Sequence, residues 1–127
     1  MNKLATLLIT ATLILTANVA FAQDDAKVYL IADVTVNDPE TYAKYSDTVP
    51  GIVRKYGGRY IVRGGAVTPF AGGWEPERLI VIEFDSMDRM KECFGSDEYL
   101  EILPFREQST DSKAVVVEGF KRSIRLM

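Results

Sequence analysis

Arg59 Tyr60 Ile61 Val62 Arg63 and Arg78 Leu79 Ile80 Val81 Ile82 Glu83 Phe84 are two alternating runs joined by a turn-rich linker, and how they are read decides the fold. At a period of two, each run has an apolar side and a side that carries charge. In the first, Tyr60 and Val62 point one way and Arg59, Ile61 and Arg63 the other. In the second, Ile80, Ile82 and Phe84 form a wholly apolar side, while Leu79, Val81 and Glu83 form the opposite one. A strand covered on both faces rarely holds an ionised group without a partner, because desolvating a lone charge is costly. One side of these strands is therefore expected to meet helices and the other a wetter environment.

Working outward, Val28 to Val36 repeats the pattern. Val28, Leu30, Ala32, Val34 and Val36 are apolar, and Asp33 lies among the alternate positions Tyr29, Ile31 and Thr35. Asp38 Pro39 Glu40 is a helix start, with Asp38 as N-cap and Pro39 in the first turn. Tyr42, Tyr45, Val49, Ile52, Val53 and Tyr56 recur at helical spacing as one apolar stripe. Pro50 and Gly51 predict a kink or a break in this helix, and Gly57 Gly58 its end. After the second run, Ser86 caps a helix whose inward side is Met87, Met90, Cys93 and Phe94. Ser96 and Tyr99 open a further helical segment with Leu100, Leu103 and Phe105. Lys113 to Phe120 reads as the last strand, with Val115 and Val117 on one side and Ala114, Val116 and Glu118 on the other. The tail follows from Lys121.

The order strand, helix, strand, strand, helix, strand is most economically a ferredoxin-like α+β domain, a four-stranded antiparallel sheet with both helical regions on one face. The opposite face, on this reading, gathers Tyr29, Asp33, Arg59, Arg63, Glu83 and Glu118 among Ile31, Ile61, Leu79, Val81 and Val116. It is too apolar for water and too charged for a dry core. A cavity sheltered by a second copy of the chain satisfies both constraints.

Composition narrows the chemistry. The chain has no histidine, which removes the usual general base, the commonest metal ligand and the histidine triads. Fifteen basic residues face eighteen acidic ones, without a basic run, so nucleic acid is not an expected partner. A lone positive residue, Lys3, an uncharged stretch from Leu4 to Ala20, and Ala20 Phe21 Ala22 have the grammar of a secretory signal peptide cleaved after Ala22. The expected organisation is a signal peptide over residues 1–22 and one domain over residues 23–127. The location is then periplasmic or secreted, with no membrane association after cleavage. Cys93, the single cysteine, cannot form an intrachain disulfide and reads as a half-buried apolar residue.

Asp33, Asp38 Pro39 with Tyr42, Gly57 Gly58 Arg59 Tyr60 Ile61 Val62 Arg63 Gly64 Gly65, Trp74 Glu75 Pro76 Glu77 Arg78, Ile82 Glu83 Phe84, Ser96 Asp97 Glu98 Tyr99, Arg106 and Val117 Glu118 Gly119 together resemble the DUF1330 family. The resemblance runs from Tyr29 to Phe120. It departs from the family at Asp97, where proline is usual, and in the secretory leader. It implies the dimeric α+β barrel superfamily, in which two ferredoxin-like sheets pack face to face around a cavity. It implies no specific function, since DUF1330 is itself a family of unknown biochemical function. Superfamily relatives include cofactor-independent monooxygenases, lactone isomerases and haem enzymes. The haem branches rely on a histidine that this chain lacks, so no cofactor and no metal are expected.

Two functional classes follow. One is a cofactor-independent isomerase or monooxygenase-like enzyme acting on a small organic ligand, with Asp33, Arg63 and Glu83 as candidate catalytic residues. Tyr29, Arg59, Trp74, Glu118 and Arg106 are the candidate binding residues. The other is a non-enzymatic ligand-binding or structural homodimer in which the arginines and acids simply pair. Trp74 reads either as a lid or, more commonly for a loop tryptophan, as a packing residue at the partner or hairpin base. Arg106 either turns inward towards an anion or lies on a solvated helix face. Acids without an arginine partner favour the enzyme; satisfied charges favour the structural dimer.

Overall fold

The computed structural model describes residues 26–121. The expected leader, its cleavage point and the tail after Lys121 lie outside the described residues. The elements run β1 (Val28–Val36), α1 (Pro39–Ser46), α2 (Val49–Lys55), β2 (Arg59–Arg63), β3 (Arg78–Phe84), α3 (Met87–Phe94), α4 (Asp97–Ser109) and β4 (Thr110–Glu118). The strands form one antiparallel sheet in the order β2-β3-β1-β4, the ferredoxin-like arrangement expected.

Each cap acts as its residue type dictates. Asp38 accepts from the Thr41 amide at 3.3 Å, Ser86 from the Arg89 amide at 3.2 Å, and Ser96 from the Tyr99 amide at 3.2 Å. The first helical region breaks at Asp47 and Thr48 rather than at Pro50. Pro50 instead lies in the first turn of α2, where its missing N–H would have had no intrahelical partner.

One face of the sheet carries the core. Val28, Ala32 and Val34 of β1 and Ile82 and Phe84 of β3 are buried against Tyr42, Tyr45, Ile52, Val53, Cys93, Tyr99 and Ile102 of the helices. Val28 is paired with Phe84 and Leu30 with Ile82, so the even positions of both strands share this face, as their alternation predicts. Gly58 allows the turn into β2 to pass close over the core. A Cβ there would sit 2.6 Å from Val53 Cγ1 and 2.8 Å from Phe84 Cε1.

Two edges depart from the expected sorting. In β4, Val116 pairs with Leu30 and Glu118 with Val28, so both lie on the helix-covered side. Val115 and Val117 occupy the open side and are 62% and 47% exposed. Both alternate sets of β4 are aliphatic, so its sequence gives no contrast with which to set the phase. In β2 the register slips between Tyr60 and Val62: Arg59 pairs with Glu83 and Tyr60 with Ile82, then Val62 pairs with Val81 and Arg63 with Ile80. Two residues thus stand opposite one, a β-bulge at Ile61 that reverses the alternation beyond it. Arg63 consequently belongs to the helix-covered face, not to the face of Asp33 and Glu83.

Candidate functional site

The open face holds a satisfied charge network. Glu83 accepts from Tyr29 Oη at 2.7 Å and from Arg59 Nε at 2.9 Å, with Arg59 Nη2 closing a second contact to the same carboxylate. Lys27 Nζ lies 3.5 Å away, and Arg59 also reaches Asp85 at 3.1 Å. The Tyr29 hydrogen bond first, and the Arg59 bonds next, hold the Glu83 carboxyl below the usual carboxylate range. Asp33 accepts from Trp74 Nε1 at 3.3 Å, which fixes the Ala66–Glu77 loop to this side. Tyr29, Arg59, Glu83, Asp33 and Trp74 are thus brought to the open face. The β2 bulge and the phase of β4 carry Arg63 and Glu118 away from it. The expected single cluster of these residues is divided by the sheet.

A part-open cavity lies on the other side, between sheet and helices, with Arg63 and Glu107 exposed at its rim. It has a volume of about 410 Å³, within the range of small-molecule sites. Leu30, Ile82, Met90, Phe94 and Leu103 give it an apolar end. Val34, Arg78 and Ser112 share one cross-strand row at the other end, and Arg63 is one row further in, beside Ile80. Arg106 reaches that end from α4 by hydrogen bonds to Ser112 Oγ at 3.3 Å. Arg63, Arg78 and Arg106 all line the space, as do Tyr42, Tyr45, Tyr60 and Tyr99. Glu107 is the one carboxylate among the lining residues.

None of these arginines belongs to an ion pair among the described residues. Arg63 donates to the Ser46 carbonyl at 3.0 Å and stacks 5.2 Å from the Tyr60 ring centre. Arg78 lies 5.8 Å from the Tyr42 ring centre and rests on Gly64, whose φ of 67° and lack of a Cβ leave room for the guanidinium. Arg78 Nε is buried without a hydrogen-bond partner. An unsatisfied buried donor costs about 1–3 kcal/mol, more when charged. Arg106 donates to Tyr99 Oη at 3.0 Å, and Tyr99 shares a 3.1 Å hydrogen bond with Tyr45. Burial keeps both Tyr45 and Tyr60 protonated: it raises the Tyr45 hydroxyl far above its ordinary value and pushes Tyr60 up to about 12. Burial works against the charge of Arg106, but the Tyr99 and Tyr45 hydroxyls together outweigh it and leave this guanidinium more basic than usual.

The family model for a domain of unknown function, DUF1330, matches residues 27–120. The chain belongs to the DUF1330 family. No curated protein matches this DUF1330 chain. Among solved structures it is similar to a protein of unknown function from Rhodopseudomonas palustris, at 17% identity over 77% of this chain and 85% of that one, with a TM-score of 0.66. A variant of SnoaB, a cofactor-independent oxygenase from Streptomyces nogalater, aligns at 10% identity over 79% and 99%, with a TM-score of 0.55. A dimeric protein of unknown function and ferredoxin-like fold from Bacteroides fragilis aligns at 13% identity over 73% and 96%, with a TM-score of 0.51. At these identities the likeness is one of fold.

Arg78, Tyr60, Tyr99 and Glu107 line the cavity of this DUF1330 domain, although none of them was among the candidate catalytic or binding residues. Arg78 had a usable signal: it continues the wholly apolar side of β3 at Ile80, Ile82 and Phe84, where a charge has no place unless it meets a pocket. Tyr42 and Tyr45 are core residues as their spacing predicts, and they also form part of the cavity wall.

Proposed function

We propose that this domain binds a small organic anion in the cavity between helices and sheet, with an acidic group held by Arg63 and Arg78 and an apolar body laid towards Met90 and Phe94. The observation that carries this reading is a pocket lined by three arginines, Arg63, Arg78 and Arg106, none of which has an ion-pair partner among the described residues. A carboxylate placed there gains charge-assisted hydrogen bonds. The test is calorimetric titration with small aliphatic and aromatic carboxylates. One or more binds, and Arg78→Met weakens it about 10- to 100-fold, as expected for losing a charge-assisted bond. Absence of binding across the series refutes the reading.

An enzymatic reading, of the cofactor-independent isomerase or monooxygenase-like kind, has Glu107 in its favour. A proton leaving a bound ligand has one carboxylate acceptor among the lining residues. Hydrogen–deuterium exchange at a carbon of a bound acid, lost in Glu107→Gln with affinity retained, distinguishes catalysis from simple binding. The open face, with Val115, Val117 and Trp74 uncovered, supports a homodimer in which two sheets face each other. The residues before Gln23 support export, and the amino terminus of protein recovered from its own host tests it.

A further inference from the structure

Resting on the ligand reading above, we propose that the bound anion is an aromatic acid carrying a second oxygen at the end remote from its carboxylate: the carboxylate meets Arg78, and the far oxygen accepts from the Tyr45–Tyr99 pair.

A chain of ring contacts links two arginines of the cavity wall. The Arg78 guanidinium lies 5.8 Å from the Tyr42 ring centre, Tyr42 lies 5.9 Å from Tyr45, and Tyr45 lies 6.1 Å from Tyr99. Arg106 then closes the far end on Tyr99 Oη at 3.0 Å. A flat body lying against these rings has aromatic walls, with Arg78 beside Tyr42 and Arg106 beside Tyr99.

The far end has hydrogen-bonding capacity to spare. Tyr45 and Tyr99 carry two hydroxyl hydrogens, and the single bond between them at 3.1 Å uses one. Arg106 contributes its own donor to the Tyr99 oxygen and accepts nothing. Whichever tyrosine donates to the other, one O–H of the pair is unspent. Both tyrosines are buried, at 8% and 3% exposure, and both line the cavity. A ligand oxygen is the partner that completes this set, while a plain apolar terminus leaves the donor unsatisfied. Burial keeps Tyr45 protonated, so the pair donates throughout the physiological range.

The experiment compares matched probes on the intact protein by calorimetry: benzoate with 4-hydroxybenzoate, cinnamate with 4-hydroxycinnamate, and 4-methylphenol as a probe without the acid. In at least one pair the hydroxy acid is expected to bind about tenfold tighter than its parent. The Tyr45→Phe/Tyr99→Phe double variant, which leaves no hydroxyl to donate, should lose that gain, and its circular dichroism and urea midpoint report whether it is folded. Arg78→Met should weaken both members of the pair alike. Equal affinity within both pairs of wild-type protein overturns the proposal without touching the ligand reading, and this comparison needs no variant. A gain that survives in the Tyr45→Phe/Tyr99→Phe double variant overturns it too, as does 4-methylphenol binding as tightly as the hydroxy acids. If none of the acids binds, the ligand reading falls with it.

Discussion

Arg59 and Arg63 leave the same five-residue strand on opposite faces of the sheet. Arg59 pairs with Glu83 on the open side, and Arg63 lies beside Ile80 under the helices, because the register slips at Ile61. The two arginines should therefore fail in different assays. Arg63→Ala is expected to weaken carboxylate binding severalfold in a calorimetric titration and leave the mass of the native assembly unchanged. Arg59→Ala is expected to lower stability and spare binding.

The Glu83 network sets an acid limit. Its carboxyl is held below the ordinary value of 4.5 by the Tyr29 hydrogen bond first and then by Arg59. A depressed folded-state pKa contributes stability that is present in full above the unfolded-state value and is lost as pH falls through the folded-state one. Tyr29→Phe should therefore reduce the urea midpoint near neutrality. The gap from wild type should narrow as pH falls below about 4.5, when Glu83 becomes protonated in both proteins.

Gly58 has no space for a methyl group. A Cβ at 2.6 Å from Val53 and 2.8 Å from Phe84 forces one of these core side chains to shift. Gly58→Ala is expected to destabilise the domain by about 1–3 kcal/mol, seen as a lower urea midpoint at unchanged slope.

Cys93 reports on global opening. Its side chain has no exposed surface, and burial pushes the thiol up to about 11. Alkylation at mildly basic pH should be very slow in the native protein and should rise with urea along the same curve as the loss of circular dichroism. Rapid labelling without denaturant contradicts the packing of α3.

The proposed dimer and the proposed pocket use opposite sides of the sheet. Val115→Lys with Val117→Lys places charge in the open apolar face and should shift native mass spectra from dimer to monomer. Carboxylate affinity should change by less than about threefold.

The sequence carries clear information wherever its alternate positions differ in character. In β1 from Val28 to Val36 and in β3 from Ile80 to Phe84 one side is wholly apolar, and the register pairs those sides as expected. Asp38, Ser86 and Ser96 could each be read as caps because short polar side chains have a defined task at helix starts. β4 gave no such contrast, since Val115, Val116 and Val117 are alike and only pairing with β1 decides which face inward. The bulge at Ile61 has no local mark that separates it from a regular strand, yet it reassigns Arg63 and with it the location of the site. The cavity depends on how far the helices stand off the sheet. That spacing is a property of Tyr42, Tyr45, Phe94 and Tyr99 packed together rather than of any one of them.

The sheet stands as a wall between the proposed chamber and the surface proposed to join two copies. The lining residues Leu30, Ala32, Val34, Ile80 and Ile82 sit on the helix-covered side, away from that surface. On the proposed arrangement each copy keeps its own compartment. Titration should saturate hyperbolically at one equivalent per chain, and diluting the protein until its assembly falls apart should leave that stoichiometry intact.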